Sequence, residues 1–307
     1  MLGLETPVER LQHMNQPAYE FYLNRNPGID LAADRLEIGV CAQHNNGGID
    51  VDLWWRSSIA RLFPVGEAAG AHGVARPGGA ALNSAQVGAT RAAQWIAARE
   101  QGAARADEGW QELAGDALQK ARSLLEAACG REESSGVLID DVLMESTRAM
   151  SDNAGLVRSR QGLEELARNV AEWRRRVVDE CVVDPTSRRS VDRLFLVRDI
   201  LDVQAVYVAA MLDHLDHGVG SRGSVLYTDP DGDLPVSWWN DGADLDVEEI
   251  FRHRLDSKAH HGVTQRVSVD AVGEAIHAHW GPVRPIPTED EFLENVWKTY
   301  RVDHNIH

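Results

Sequence analysis

Four long amphipathic stretches in the middle of the chain constrain its fold more than any other feature. Their apolar residues recur at three- and four-residue spacing, as Leu163, Leu166 and Val170 do, which is the period of a helix that buries one face. The stretches cover residues 110–129, 137–153, 162–183 and 190–217. We therefore predict a helical bundle whose charged runs face solvent.

The part of the chain before the bundle mixes helical and strand patterns. Thr6, Pro7 and Glu9 predict the start of a helix over residues 7–24, because they provide a capping box and a proline in the first turn. Strands are predicted at 36–42, 49–53 and 61–67, with a turn at Asn45-Asn46-Gly47-Gly48, and a second helix over 80–100. We interpret this part as α/β. Together with the helical bundle, it gives a predicted fold class of α/β plus α.

A glycine-rich loop at residues 70–79 lies between the last of these strands and the helix from Ala80, and it carries His72 and Arg76. A strand, a glycine loop and a helix in this order present backbone N–H groups and the positive end of a helix dipole to an anion or to an electron-rich ring edge. Many α/β turns share this arrangement, so a purely structural turn is an equally good interpretation.

The chain after residue 220 is less regular. The run Asp229-Pro230-Asp231-Gly232-Asp233 predicts a surface turn. A strand is expected near 236–239, and helices near 267–280 and 289–300.

Several motifs resemble known binding sites but lack the neighbouring elements or residues that those sites require. The run Gly218-Val219-Gly220-Ser221-Arg222-Gly223 has the letters of a dinucleotide-binding fingerprint, but a predicted helix precedes it where a strand is required. The aspartates of the 229–233 turn lack the glycine and glutamate positions of a calcium loop. The paired histidines at 214/217, 260/261 and 277/279 have no further ligand at zinc-like spacing, so no metal site is predicted. With no nucleophile elbow or P-loop either, any chemistry must come from a bound cofactor.

Composition narrows the class of protein further. The chain has 307 residues and a net charge of −17, which disfavours binding to a nucleic-acid backbone. No apolar run approaches the roughly 20 residues of a membrane span, and the N-terminus has no signal-peptide pattern. Three cysteines, Cys41, Cys129 and Cys181, lie far apart, which disfavours a disulfide scaffold. We expect a cytoplasmic protein without a membrane span.

Three motifs in order resemble one known family. They are Ala42-Gln43-His44-Asn45-Asn46-Gly47-Gly48-Ile49, then Leu62-Phe63-Pro64-Val65-Gly66-Glu67, then His72-Gly73-Val74-Ala75-Arg76-Pro77-Gly78-Gly79-Ala80-Ala81-Leu82. Together with the bundle, they are similar to the C-terminal half of the succinate dehydrogenase and fumarate reductase flavoproteins, which include L-aspartate oxidase. The resemblance covers residues 5–240.

The resemblance implies an FAD-dependent oxidoreductase component that transfers a hydride between flavin and a small, carboxylate-bearing substrate. It places Arg76, His44, Gln43 and His72 at the substrate. Arg76 would grip a carboxylate, for which a guanidinium offers a planar fork. The implied cofactor-binding residues are Gly66, Glu67, Gly78, Gly79, Ala80, Ala81 and Leu82.

The chain departs from the family pattern at polar positions. Gln43 stands where the family has its substrate-binding histidine, and His44 follows one place later. Ala75, Ala80 and Ala81 replace an Asn and an Asn-Ser pair. A substrate other than a dicarboxylate fits these changes as well. The alternatives are a non-catalytic assembly or interaction subunit that keeps the fold without the flavin chemistry, and a plain helical docking module.

The resemblance also implies a domain arrangement. Residues 1–36 would be a remnant of the capping domain, 37–104 the C-terminal segment of a Rossmann-like FAD-binding domain, 105–220 the helical bundle domain and 221–307 a C-terminal extension. The expected partners are a separate N-terminal FAD-binding chain or half, which would hold the FAD pyrophosphate, and an electron-transfer (iron–sulfur) subunit.

Overall fold

The amphipathic stretches of the sequence fold into helices that pack on one another. The computed structural model describes residues 5–34, 47–72, 80–100, 109–132, 136–223, 225–236, 247–270 and 275–283, with Thr288, Lys298 and Val302. The helices are α1 (Pro7–Arg25), α2 (Ala80–Arg99), α3 (Trp110–Gly130), α4 (Ile139–Ala154), α5 (Arg160–Asp179) and α6 (Arg188–Asp216). All six were predicted, four of them from apolar periodicity and α1 from its capping box, and their ends lie within four residues of the predicted ones.

The chain divides into two compact units, residues 1–45 and 46–307. In the first unit, the predicted capping box of α1 is confirmed: the Glu9 N–H donates to Thr6 Oγ1, and the Thr6 N–H donates to the Glu9 carboxylate. The helix is kinked at Asn15, which has φ −150° and ψ 60°. Asn15 Oδ1 accepts a hydrogen bond from the Ala18 N–H and so caps a second helical segment that contains Pro17.

The core of the second unit is the contact between α4, α5 and α6. One stripe of each helix is buried, and on α5 it includes Leu163, Leu166 and Val170, as the spacing predicts. Ser159 begins α5 and Ser187 begins α6, because each hydroxyl oxygen accepts a backbone N–H from the first turn. Burial of these stripes contributes most of the stability of the bundle.

Short strands extend the bundle at its ends. The strands are β1 (Val137–Leu138), β2 (Val157–Arg158), β3 (Cys181–Val182), β4 (Leu226–Asp233), β5 (Val263–Val269) and β6 (Ile276–Pro282). They pair as β1–β3 and β2–β4, both parallel, and as the antiparallel hairpin β5–β6. The first two pairs join helix connections to each other, so they fix where α4, α5 and α6 begin.

The hairpin contradicts the helix predicted over residues 267–280. Alternate residues of β5 and β6 are half-buried, including Gln265 and Trp280. Both side chains donate hydrogen bonds to Asp213 Oδ2 on α6, at 2.6 Å from Gln265 Nε2 and 2.8 Å from Trp280 Nε1. The helix prediction was wrong because the short apolar run also fits a period of two, and tertiary contacts with α6 select the strand.

Three more predictions of local structure are wrong. The surface turn at 229–233 belongs to strand β4, where Gly232 lies so close to the His253 backbone that an added Cβ would be 2.5 Å from it. Residues 61–67 are not a strand but irregular chain ending in a 3-10 turn (Gly66–Ala68), with Arg61 at φ 66°. The strand at 49–53 is reduced to a single bridge at Ile49, because Asp52 accepts the backbone N–H groups of Trp54 and Arg56 and turns the chain.

Other predictions lie on residues outside the described ranges. These are the strand at 36–42, the first two residues of the turn at 45–48, all but Val236 of the strand at 236–239, and the helix at 289–300 apart from Lys298. Among the described residues, no helix combines the length and the hydropathy of a membrane span. Cys129 and Cys181 are free thiols, and Cys41 lies outside the described residues. The cytoplasmic location stays a prediction.

His214 on α6 makes the stability of the hairpin contact dependent on pH. Burial, followed by the positive charge of Arg222, lowers the pKa of His214 to about 4. Its ring lies 5.5 Å from the ring of Trp280, and its Nδ1 is 3.5 Å from the Tyr227 hydroxyl. The folded protein therefore holds this imidazole neutral where an unfolded chain protonates it.

We predict that the free energy of unfolding falls as the pH drops from about 6.5 to about 4, because only the unfolded state takes up the proton in that window. His214 accounts for up to about 3 kcal/mol of this loss. Urea denaturation at pH 4.5 and pH 7 measures it. The loss should shrink in H214Q and stay unchanged in H277Q, whose imidazole is exposed on β6. Equal losses in H214Q and the wild type would contradict the assignment.

Candidate functional site

A backbone bridge joins two of the segments that carry the family-like motifs. Ile49 pairs with Ala69 in parallel: the Ile49 N–H donates to Ala68 O at 2.9 Å, and the Gly70 N–H donates to Ile49 O at 3.0 Å. The chain that follows Gly47 thus lies directly beside the chain that connects Glu67 to His72. Residues about 20 positions apart in sequence share one small region of the second unit.

Two glycines make this close approach possible. A Cβ on Gly48 would lie 2.7 Å from Ala68 O and 2.8 Å from Gly70 N, and a Cβ on Gly70 would lie 3.0 Å from Gly48 O. Both obstacles are backbone atoms, which cannot rotate away as a side chain can. Gly48 of the Asn-Asn-Gly-Gly run is therefore required for packing.

Helix α2 is held against this bridge by an aromatic side chain. The indole of Trp55 lies on Gly88 of α2, where an added Cβ would meet ring atoms at 2.5–2.7 Å. Trp55, Ala69 and Ala92 form a small buried cluster, and Trp55 adopts φ 61° to reach it. The backbone bridge and the helix are thus fixed to each other through one residue.

A second aromatic group supports α2 one turn further along. The rings of Trp54 and Trp95 lie 5.9 Å apart, with Arg91 4.8 Å from the first ring and Arg56 4.0 Å from the second. Asp52 fixes Arg56, since Arg56 Nε donates to Asp52 Oδ2 at 2.6 Å. Such cation–π contacts each contribute about 0.5–1 kcal/mol at exposed sites. The sequence signal for this group is the pair Trp54-Trp55 beside Arg56, which lies between the first two family-like motifs and belongs to neither.

The predicted cofactor residues that the structure describes lie along the first turns of α2. Gly66, at φ 65°, begins the 3-10 turn, and a Cβ there would be 3.5 Å from Ala85 of α2. Glu67 is exposed, Ala81 is half-buried and Leu82 is 73% exposed. Leu82 and Ala85 share a helix face, so the carboxylate-bearing turn runs beside the start of the helix.

This set of groups fits a flavin nucleotide. The first turn of α2 contains no acidic residue that would neutralise the positive end of the helix dipole. Such N–H groups suit the electron-rich pyrimidine edge of a flavin, an exposed carboxylate suits ribose hydroxyls, and the apolar surface of Leu82 suits a ring. The chemistry of the donor set therefore matches the cofactor that the resemblance implies.

Only some of the remaining predicted site residues belong to the described ranges. Gln43, His44, Arg76, Gly78 and Gly79 lie outside them, and Ala80 is described only as the first residue of α2. His72 is half-buried and follows the bridge directly. The bridge brings Gly47 and Gly48 next to the segment that leads into His72.

One contact near the site was not expected from the sequence. Arg266 on β5 pairs with Asp50, with 2.9 Å between Nε and Oδ2, so the C-terminal hairpin contacts the chain next to the bridge. The alternation of β5, in which Val263, Gln265 and Val267 face inward, is the signal that could have indicated this strand. In the described part of the chain, no cluster of His, Cys, Asp or Glu could hold a metal ion.

Comparison with proteins of known structure supports the resemblance. The fold matches the FrdA chain of a mutant E. coli quinol fumarate reductase (TM-score 0.69, 19% identity, 94% of this chain and 44% of that chain). It also matches a quinol–fumarate reductase with menaquinol molecules, with a TM-score of 0.64 and 19% identity over 94% of this chain and 45% of that chain. A third match is Mycobacterium smegmatis Sdh1 in complex with UQ1, with a TM-score of 0.57 and 17% identity over 97% of this chain and 45% of that chain. At these identities the likeness concerns the fold.

Sequence comparison points the same way over a shorter segment. One relative, a fumarate reductase (CoM/CoB) subunit from Methanothermobacter marburgensis, is 39% identical over 66 residues, which are 21% of this chain and 12% of that protein. No protein-family profile matches. The resemblance to the fumarate reductase and succinate dehydrogenase flavoproteins is thus confirmed, and a chain that spans under half of the solved relatives fits their C-terminal half.

We predict that Gly88→Ala destabilises the protein although alanine favours a helix. The new methyl group would displace the Trp55 indole, which costs about 2 kcal/mol. Gly115→Ala is the matched control, because Gly115 also lies within a helix and has no atom near its Cβ position. The control should raise the free energy of unfolding by roughly 0.5–1 kcal/mol. Chemical denaturation compares the two, and equal effects would show that Trp55 does not hold α2.

We also predict that Gly48→Ala breaks the backbone bridge, since its methyl group would lie within 2.8 Å of three backbone atoms of residues 68–70. The expected loss of stability is about 2 kcal/mol or more. Gly262→Ala is the control at a turn with open space, and it should change stability by less than about 0.5 kcal/mol. Hydrogen exchange at the Ile49 and Gly70 amides reports the bridge directly. Unchanged protection in G48A would refute the prediction.

Proposed function

We propose that this chain forms the flavin-facing and substrate-facing part of an FAD-dependent oxidoreductase, which exchanges a hydride between flavin and a small carboxylate-bearing substrate. The nucleotide-binding portion that completes the site lies outside these residues, on another segment or another chain. The observation that carries the proposal is the bridge between Ile49 and Ala69, which joins the motif segments beside the start of α2.

Different residues around the bridge would bind different parts of the cofactor. The first-turn N–H groups of α2, at Ala81 and Leu82, would hold the flavin edge, and the helix dipole there would favour negative charge on the ring. Glu67 would accept hydrogen bonds from ribose hydroxyls, and the resemblance assigns Gly66, Gly78 and Gly79 to the nucleotide. Bound FAD supplies the two-electron hydride chemistry that no side chain of this chain provides.

The substrate is held by the residues that follow and precede the bridge. Arg76 grips a carboxylate through its planar fork, because bidentate contacts fix both position and orientation. His44, Gln43 and His72 provide hydrogen bonds to the rest of the substrate. The roles of Arg76, His44 and Gln43 in this scheme rest on the resemblance.

Partners are expected on the apolar surface of the same region. Four apolar side chains between residues 49 and 82 are exposed: Ile49 by 47%, Leu62 by 40%, Val65 by 37% and Leu82 by 73%. Exposed apolar groups favour burial by a ligand or by another polypeptide surface. The nucleotide-binding portion and the flavin ring together fit this role, and an electron-transfer protein would pass electrons to or from the site.

The test is to express the chain together with its nucleotide-binding portion and to measure bound FAD by absorbance. Turnover is followed by fumarate-dependent oxidation of a reduced dye. Arg76→Ala should leave FAD bound and lower kcat/KM by about 100-fold or more, because a charged substrate group loses its partner. Glu67→Gln should lower the FAD content while the fold is retained.

Glu126→Gln on α3 is the control for both variants, since Glu126 is an exposed carboxylate of the bundle, and it should change neither readout. A complex that binds no FAD under any condition refutes the flavin site. A complex that binds FAD but whose turnover is unaffected by Arg76→Ala supports the alternative, an assembly subunit without substrate chemistry. The two outcomes are distinguishable because FAD content and turnover are measured separately.

A further inference from the structure

Three histidines of the second unit surround the indole of Trp280 on the β5–β6 hairpin, and we call them the histidine cluster. The ring centroids of His217, His214 and His260 lie 4.9, 5.5 and 6.1 Å from that of Trp280. The first two belong to the end of α6, and His260 belongs to a 3-10 turn (Lys258–His260). None of these residues takes part in the proposed flavin chemistry.

Two carboxylates beside the cluster each have a histidine as a neighbour. Asp213 Oδ1 lies 3.3 Å from His217 Nδ1, and Asp256 Oδ1 lies 2.9 Å from His260 Nδ1. A proton on either of these two imidazoles therefore has a negative partner within reach. The third histidine, His214, is in a different position.

The surroundings of His214 oppose a positive charge on its ring. Burial is the largest cause of its lowered pKa, followed by the positive charge of Arg222 in the loop after α6. Arg158 on β2 and His260 act in the same direction, whereas Asp213 acts against them. The Asp213 carboxylate is already shared, because it also accepts hydrogen bonds from the hairpin and lies beside His217.

Protonation of all three imidazoles would make the cluster strongly positive. At neutral pH the charges of Arg158 and Arg222 offset those of the two aspartates, and Arg222 Nη1 lies 3.5 Å from Asp256 Oδ2. Three imidazolium groups would add three positive charges to this balance. The Tyr227 hydroxyl, 3.5 Å from His214 Nδ1, brings no negative charge to offset them.

The hairpin is the element that can move away from this charge. No residue of β5 or β6, which the structure describes throughout, is fully buried. Its polar contacts with α6 include hydrogen bonds from Gln265 and Trp280 to Asp213, and from Gln265 to Ala210 O. Segments with few buried apolar contacts open at a lower free energy than a core does. The hairpin is therefore easier to detach than any helix of the buried α4–α6 contact.

Opening of the hairpin and protonation of His214 favour each other. Detachment removes Trp280 from the imidazole and lets water reach it, so its pKa returns from about 4 towards the ordinary value of about 6.5. The open state then takes up a proton that the closed state does not, and it gains population as the pH falls through this window. The ratio of open to closed hairpin can rise on the order of 100-fold.

We propose that the histidine cluster is a pH-sensitive switch, which releases the β5–β6 hairpin from α6 in mildly acidic solution while the helical bundle stays folded. Arg266 on β5 leaves with the hairpin, so its ion pair with Asp50 beside the bridge is lost as well. Acidification thus changes the chain next to the proposed flavin site without unfolding the core. The switch does not depend on flavin binding.

The experiment measures hydrogen exchange of indole N–H groups by NMR, in the full chain labelled with ¹⁵N-tryptophan. Trp280→Phe identifies the Trp280 signal, and each rate is divided by that of free indole at the same pH, which gives the fraction of open hairpin. We expect this fraction to rise at least about tenfold between pH 7.5 and pH 5. Trp173, whose indole donates to Glu145 within the bundle, is the internal control and should change by less than about twofold.

This comparison tests the proposal in the wild type alone. A Trp280 fraction that does not rise overturns it. An equal rise at Trp173 shows that the whole bundle opens, and it overturns the proposal in the same way.

His214→Gln tests which imidazole drives the release. The variant cannot take up the proton, so the rise at Trp280 should shrink to less than about threefold, with circular dichroism as the check of the fold. His277→Gln is the matched control, because His277 is exposed on the same hairpin, and it should keep the full rise. Equal rises in H214Q and H277Q refute the role of His214 and overturn the proposal.

Discussion

The packing of α5 against α4 and α6 is the contact on which the second unit depends. Leu163, Leu166, Val170 and Val177 lie on one stripe of α5 and are almost completely buried. The short parallel pairs β1–β3 and β2–β4 form only because this packing brings the helix connections together. The β5–β6 hairpin is in turn attached to α6 through Asp213, which accepts hydrogen bonds from Gln265 and Trp280. Loss of the α5 contact would therefore remove the support of each strand pair.

The bridge region is built on a different principle. Its apolar cluster is small, with Trp55, Ala69 and Ala92 as the buried members, so close backbone approach replaces a large core. Gly48 and Gly70 allow the bridge, and Gly88 allows Trp55 to lie on α2. A region held by three glycine contacts leaves its apolar side chains at the surface, where a cofactor and a further polypeptide portion can bury them. Because the buried cluster is small, Leu82 stays exposed, and the proposed flavin site can use its surface.

The bundle and the bridge region expose different groups. Around the bridge, the Glu67 carboxylate and the apolar side chain of Leu82 are exposed near the start of α2, where the proposed flavin site would use them. Along α6, a second apolar stripe with Leu196, Val203 and Tyr207 is partly exposed, while the stripe with Leu194, Val197 and Leu201 is buried in the core. The net charge of −17 disfavours binding to a nucleic-acid backbone.

The sequence by itself determined the helices, because their apolar spacing, serine caps and capping box act within a few residues of each other. It also determined the resemblance to the flavoproteins, which rests on motif order. Only the tertiary structure decided the strands: Val263–Val269 and Leu226–Asp233 are extended because α6, Leu156 and His253 supply their partners from distant positions. The tertiary structure also decided which glycines allow a close approach of the backbone and which apolar stripe of α6 stays exposed. Whether a half-apolar face is buried depends on what the rest of the chain places against it, and no local pattern contains that information.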